Sequence, residues 1–367
     1  MSEKLETWID AAVGETREAL VRAGRPVALR ITRASDEGRR ARWGEAYCAR
    51  VTSVDRRRRG AFLDLGLKQQ QGFLPLDAKG LARRARGKGS GDSVALSEGA
   101  GVIVGVTREA ARTKGPVLEL VETGHDGEAP HRIGRPECDE ELALGKPADA
   151  SMRADLDALV EDCLSRTAPL PGGGLLTIEP TAALVAIDVD SGARQSASDP
   201  ELFALELNIA AAREAARQIR LRNLGGVIAL DFVSMRAKPH RALVEQAVHQ
   251  AFANDPWSVQ FGALSRFGVF ELARAQLRTP LHEQMRDADG RLSAESVALT
   301  ALRAIERETR AASGRQIACL VAPEVKAWLE AAEFDWRAAL SNRIGLRWTL
   351  DAAPPPWPRD KIDARAL

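Results

Sequence analysis

Cysteine is scarce in this chain: Cys48, Cys138, Cys163 and Cys319 are the four in 367 residues, and no two form a Cys-x-x-Cys pair. Thiols so widely separated argue against a disulfide framework and against the paired-ligand spacing of a structural zinc site, and they suit a reducing compartment. No run approaches the ~20 apolar residues that a bilayer span requires. Met1–Gly24 is charged throughout and lacks the apolar centre of a signal peptide. The expectation is a soluble, cytoplasmic protein. A G-x-x-x-x-G-K-[ST] loop is also missing, which disfavours P-loop phosphoryl transfer; the Gly172–Gly174 run precedes a strand pattern and reads as a turn. Excess charge of one sign is absent: 52 Lys and Arg against 51 Asp and Glu leave a net +1. Bulk electrostatics therefore neither demands nor excludes a nucleic-acid partner, and the distribution of charge has to decide.

What is present is length for two or three compact units. Periodicity predicts a helix around Glu15–Ala23 and a strand at Val27–Ile31. From Gly44 the grammar is that of strands: Ala46–Val54, Gly60–Leu65, Gln71–Leu76, Gly101–Val106 and Pro116–Val121. Five short strands at this spacing suggest a small antiparallel barrel of the OB type. Arg83, Arg84, Arg86 and Lys88 sit in a Gly/Ser-rich setting that reads as a basic loop. Gly124–Pro147 reads as a linker and Ala154–Leu164 as a short helix. Ala182–Val189 then forms a nearly unbroken apolar run, as in a strand buried on both faces. Asp199 and Pro200 open a long helix as N-cap and first residue, and Val227–Phe232 is a second apolar strand. Strand, helix, strand predicts a βαβ unit with parallel strands. A helix at Pro239–Asn254 and a strand at Val259–Leu264 continue the alternation. From about Asp287 the pattern predicts helix Ala294–Ser313, strand Gln316–Ala322, helix Glu324–Ala332 and a strand near Leu346–Leu350, with the last ten residues frayed.

The acids carry the sharpest chemical signal. Asp188 and Asp190 fall at the carboxyl end of the first apolar strand and Asp231 at the same end of the second, where α/β sheets place their sites. Carboxylates crowded in this way raise one another's pKa. A hard divalent cation relieves the repulsion, and magnesium favours a few carboxylate oxygens plus water. Such an ion activates water and neutralises charge on a phosphate. The bland reading is that strand-end aspartates cap loops, but three on neighbouring strand ends exceed what capping needs. Arg213, Arg217 and Arg220, spaced four and three apart, share a helix face. That face is either a solvated stripe or a set of guanidinium groups offered to phosphates.

The same residues carry a resemblance. AIDVDSGAR at Ala186–Arg194, RQIRLRNLGGVIALDFVSM at Arg217–Met235 and SRFGVFELARAQL at Ser265–Leu277 resemble the catalytic core of the ribonuclease E/G family in order, spacing and wording. Tyr47–Leu76 and Leu96–Thr123 are similar to that family's S1-type OB domain. Glu295–Glu306 and Gln316–Leu329 are similar to its small carboxy-terminal domain. The resemblance implies Asp188 and Asp231 as magnesium ligands, with manganese as a substitute, and hydrolysis of single-stranded RNA to leave a 5′-phosphate. Position 190 is usually asparagine in the family; aspartate here adds charge and a possible third ligand. Phe62, Phe73 and Lys114 match the family's two RNA-clamping aromatics and basic residue, and aromatic faces do stack on unpaired bases. Either phenylalanine alone would more often be a core residue. Arg266 and Arg274 are weaker candidates for RNA backbone contacts.

Two departures matter. Between Gly124 and Gly174 there is no counterpart to the family's insert with a pocket for an RNA 5′-monophosphate, so cleavage is expected to be indifferent to the 5′ end. Gln284–Ala294 contains no cysteine where the family has a Cys-x-x-Cys zinc link between subunits. No zinc is expected, and any homo-oligomer would use a different contact. The expected organisation is α/β multidomain: residues 1–43 an N-terminal α/β segment, 44–124 an S1-type OB RNA-binding domain, 125–170 a linker with a short helix, 171–286 a parallel-sheet α/β nuclease domain, and 287–367 a small α/β C-terminal domain. The leading function is a magnesium-dependent endoribonuclease. The alternative is an RNA-binding protein that keeps the fold without turnover.

Overall fold

The computed structural model describes residues 5–68, 70–85, 93–111, 114–134, 145–192 and 199–367. Three strands open the chain: β1 (Leu5–Ala12), β2 (Glu15–Arg22) and β3 (Arg25–Arg33), an antiparallel meander. The helix predicted at Glu15–Ala23 is therefore a strand. Glu15, Arg17, Ala19 and Val21 alternate along it and are all buried. Because two of these inward residues are charged, the period of two is invisible to a reading of apolar residues alone.

The next strands are β4 (Ala46–Asp55), β5 (Gly60–Asp64), β6 (Gln71–Pro75), the short pair β7 (Ala82–Arg83) and β8 (Ser93–Val94), then β9 (Gly101–Arg108), β10 (Val117–Thr123) and β11 (His131–Gly134). Strands β4, β5, β6, β10 and β9 close into a five-strand barrel, because β9 also pairs with β4; β11 adds to the other edge of β4. Tyr47, Ala49, Val51, Leu63, Val104 and Leu120 fill its interior. Arg83 belongs to the β7–β8 pair and Arg84 bridges to Leu120, so these two are not loop residues. Arg86 and Lys88 lie outside the described residues. The stretch predicted as a linker contributes β11 to the barrel, and β12 (Lys146–Pro147) pairs with β1.

Helix α1 (Ala150–Leu164) follows, with Asp149 accepting from the Met152 N–H as its cap. Its Leu156, Leu159 and Val160 share one core with Ala19, Val21, Leu29 and Ile31 of the first sheet. A mixed sheet then holds β13 (Thr167–Pro169), β14 (Leu175–Pro180), β15 (Val185–Asp190), β16 (Gly226–Asp231), β17 (Val259–Leu264) and β18 (Val269–Arg274) in the order β13-β14-β15-β16-β18-β17. Only β15 and β16 are parallel; every other pair is antiparallel. The expected parallel sheet is corrected to this mixed one, and β18, which sits between β16 and β17, was not anticipated. Helices α2 (Pro200–Leu221) and α3 (Lys238–Ala251) pack on a single face of the sheet. Ile187, Val189, Ile228 and Leu230 meet Leu207, Ala211, Val244 and Val248 there. Exposure in β15 alternates rather than vanishing, so this strand is not buried on both faces.

The remainder consists of α4 (Leu281–Met285), α5 (Ala294–Ala311), β19 (Ile317–Val321), α6 (Pro323–Ala331), α7 (Trp336–Ile344), β20 (Trp348–Ala352) and β21 (Asp363–Ala366). Strand β19 lies between parallel β20 and antiparallel β21, so the last ten residues include a paired strand rather than a frayed tail. No described helix is long and apolar enough to cross a membrane.

Candidate active site

Strands β15 and β16 are parallel, in register, and joined by α2. Their carboxyl ends therefore lie side by side, and Asp188 stands directly opposite Asp231. A side-chain period of two puts Asp190 on the same face as Asp188. That face is the one left open by α2 and α3, and all three carboxylates are exposed on it. Burial first, and then the negative charges of Asp231 and Asp190, push Asp188 above the ordinary range of its type. Asp190 Oδ1 accepts from the Gly192 N–H at 2.8 Å, so one of its oxygens is engaged in its own turn. The three aspartates are not gathered as tightly as the Cys48, Glu128 and His131 donors, which all lie within 4.8 Å of one another. A wide, solvent-facing set of this kind suits a magnesium ion, which keeps several waters and takes only one or two carboxylates directly.

The loop that follows Asp231 is fastened from α2. Asn208, fully buried, donates from Nδ2 to Val233 O at 2.8 Å and accepts from the Val233 N–H at 3.0 Å. Glu201, in the first turn of α2, accepts from the Arg236 and Ala237 N–H groups at 2.9 and 2.8 Å. Asp199 caps the helix as predicted, accepting from the Glu201 and Leu202 N–H groups. On the other side of Asp231, Gly268 takes φ +94°, and a Cβ there would lie 3.0 Å from Phe232 O. The turn carrying Gly268 also presents Phe267, 72% exposed, with the Arg266 guanidinium 4.6 Å from its ring centre. Asn208, Glu201, Gly268 and Phe267 were not singled out from sequence. Only the asparagine gave a usable signal, as a polar residue on the apolar face of an amphipathic helix.

On the barrel, Phe62 and Phe73 are cross-strand partners with ring centres 5.6 Å apart in an edge-to-face arrangement, both half-buried. The Phe73 ring lies over Gly60, where a Cβ would come within 2.1 Å of Cε2. Lys114 is exposed in the turn between β9 and β10. It helps line a cavity of about 440 Å³ with Thr181–Val185 and Gly225–Val227. Those segments are the amino ends of β15 and β16, away from the aspartates.

The structure places four of the predicted arginines away from the aspartate face. Arg217 donates to both Glu214 oxygens and to Pro26 O. Arg220 donates to Ala251 O and pairs with Asp255 at 3.8 Å. Arg213 is exposed, but the helix that carries all three packs on the sheet face opposite the aspartates. Arg274, 3% exposed, grips Asp255 and Leu224 O and stacks on Trp257 at 3.9 Å. Arg217, Arg220 and Arg274 thus fasten elements together, since buried guanidinium groups are costly unless fully paired. Arg266 alone of the predicted arginines stands beside the aspartate end of the sheet.

Comparison with known proteins finds similarity over the part of the chain that carries these aspartates. Residues 134–277 match the model of the ribonuclease E/G family. The chain is similar to ribonuclease E of Escherichia coli (strain K12), 32% identical over 205 residues, which are 54% of this chain and 19% of the relative. It is also similar to ribonuclease E of Haemophilus influenzae, 33% identical over 208 residues, 55% of this chain and 22% of the relative. A chloroplastic ribonuclease E/G-like protein of Arabidopsis thaliana is 40% identical over 126 residues, 34% of this chain and 13% of the relative. The chain spans about a fifth of the length of the ribonuclease E relatives it matches.

Proposed function

We propose, because residues 134–277 match the model of the ribonuclease E/G family, that this chain is an endoribonuclease acting on single-stranded RNA at Asp188, Asp190 and Asp231. The observation that carries the reading is the direct cross-strand pairing of Asp188 with Asp231 on an open sheet face. Asp188 and Asp231 would hold a magnesium ion, or manganese in its place, with Asp190 beside them. When bound, the ion supplies charge neutralisation at the scissile phosphate and activation of water, leaving a 5′-phosphate. The protein's own contribution is placement. Asn208 and Glu201 fix the loop after Asp231, and the Asp190–Gly192 turn fixes the other carboxylate.

The barrel is read as an OB domain of the S1 type, with Phe62 and Phe73 as a stacking platform for unpaired bases and Lys114 as a phosphate contact. Arg266 and Phe267 offer a second stacking pair close to Asp231. Cleavage independent of the 5′ end, the expectation drawn from the sequence between Gly124 and Gly174, is part of the proposal.

One fluorescent single-stranded RNA, bearing a 5′-monophosphate or a 5′-hydroxyl, tests the whole reading with magnesium or with EDTA. Equal, magnesium-dependent cleavage of both is expected. Asp231→Asn should lower the rate by more than the ~10–100-fold that outer-shell partners of a metal cost. Binding without cleavage in magnesium and in manganese would favour a non-catalytic RNA-binding role. Undiminished cleavage in Asp188→Asn and Asp231→Asn would dismiss the metal site.

A further inference from the structure

Inside the barrel wall, Tyr47, Ala49 and Val51 face the core. Cys48 therefore points outward, yet it is 0% exposed. What covers it is the polar segment His125–Pro130 and the start of β11, where His131 is the cross-strand partner of Cys48. This cover has no large apolar side chain to bury, so hydrophobic packing does not explain why it is held so firmly. Arg50 donates to Asp126 O at 3.0 Å and Glu128 O at 2.7 Å, and Asp126 Oδ1 accepts from the Gly101 N–H at 2.6 Å. Two glycines make room for it: a Cβ on Gly101 would lie 2.0 Å from His125 O, and one on Gly66 would lie 2.3 Å from Pro130 O.

The result is a gathered donor set. Cys48 Sγ, a Glu128 carboxylate oxygen and a ring nitrogen of His131 all lie within 4.8 Å of one another. The neighbours orient these ligands: His131 Nδ1 is 2.8 Å from Ala129 O, which leaves Nε2 the lone pair, and His125 Nδ1 is 2.8 Å from Glu128 Oε1. Outer partners of this kind are what ligating imidazoles and carboxylates need.

We infer that Cys48, Glu128 and His131 form a binding site for a zinc-class divalent ion on the outer wall of the barrel, separate from the aspartate site. Thiolate, imidazole and carboxylate together select zinc over magnesium. Binding exchanges the Cys48 thiol proton, released to solvent, for a sulfur–metal bond, so affinity rises with pH. This proposal departs from the sequence expectation of a zinc-free protein. The donors are separated by 80 and 3 positions along the chain, counted from Cys48 to Glu128 and from Glu128 to His131, and no local motif announces them.

The test is titration of the full chain with cobalt(II) as a spectroscopic stand-in, together with zinc content after dialysis. The wild-type protein is expected to hold about one equivalent of zinc and to show a thiolate-to-cobalt charge-transfer band. Cys48→Ser should lose both. Glu128→Gln and His131→Asn change exposed side chains, so they report even if the buried serine disturbs folding; each should weaken cobalt binding at least ~10-fold. Asp188→Asn should leave the band unchanged, which separates this site from the proposed active site. Absence of the band in the wild-type protein, or its persistence in both Glu128→Gln and His131→Asn, overturns the inference.

Discussion

Asp188 sits among like charges, and the sign of its shift has a measurable consequence. Its folded pKa is raised by burial and then by Asp231 and Asp190, so the folded chain takes up a proton more readily than the unfolded one. The ionised site therefore costs stability at neutral pH, and the cost fades as pH falls through the raised value. Asp188→Asn removes it. In EDTA at pH 7 the variant should melt higher than wild type by about 1–2 °C, a modest gain because the group is largely solvated. Magnesium should raise the wild-type Tm and leave the variant unmoved. Equal magnesium responses would remove Asp188 from the ion's ligands. Gly60 gives a second residue-scale expectation. An alanine Cβ cannot coexist with the Phe73 ring where it lies, so Gly60→Ala should displace the ring. Titrations with a short single-stranded RNA should then show a loss of roughly 1–3 kcal/mol, the value of one stacked base, matching Phe73→Ala. Unchanged affinity in both variants, with a lowered Tm, would make Phe73 an ordinary packing residue.

At the scale of elements, the site depends on α2 as much as on the strands it connects. Asn208 bonds both backbone groups of Val233, so Asn208→Leu leaves a buried N–H and C=O unpaired at ~1–3 kcal/mol. Cleavage should fall with it while RNA affinity at the barrel is kept. A stability loss with undiminished turnover would show that this clamp does not position Asp231. Helix α2 was readable from sequence because its signals agree: Asp199 and Pro200 at the start, then an alanine-rich apolar stripe. The strand ends bearing Asp188 and Asp231 were readable for a related reason, since apolar runs of strand length stop at acids. Elements escaped where buried charge broke the period. Strand β2 hides Glu15 and Arg17 in its inward row, and β18 ends its inward row Phe270, Leu272 with Arg274. Strand β21 carries Asp363 and Arg365, the composition of an edge, and resembles a solvated tail until β19 is seen beside it. For the arginines of α2, spacing identified a shared face without saying that Pro26 O and Ala251 O would lie against Arg217 and Arg220.

Across the whole molecule, the two ends of the chain are tied together by buried ion pairs rather than strung as separate beads. Arg17 reaches Asp10 at 2.6 Å and Asp157 of α1 at 2.5 Å. Arg33 holds Glu15 at 2.9 Å and donates to Ser296 of α5, and Arg303 of α5 also grips Glu15. Burial alone pushes Glu15 upward, but the charges of Arg303 and Arg33 overcome it and hold the carboxyl below its usual 4.5. Asp10 is likewise held below 3.8: burial raises it, and Arg17 and Arg153 more than compensate. With folded pKa values depressed, these acids contribute stability fully above their unfolded pKa values, and the contribution is lost as pH falls through the lowered folded values. Glu15→Gln leaves Arg33 and Arg303 facing a neutral partner in the interior, a loss on the order of 3–5 kcal/mol at pH 7. Denaturant unfolding of both proteins from pH 7 downward provides the check. The wild-type curve should hold until about pH 4.5 and then fall toward that of the variant, whose own acid dependence is shallower because one titrating group is gone. Two curves separated by a constant gap down to the lowest pH would show that Glu15 binds protons alike in the folded and unfolded chains, and the depressed pKa assigned to it would be wrong.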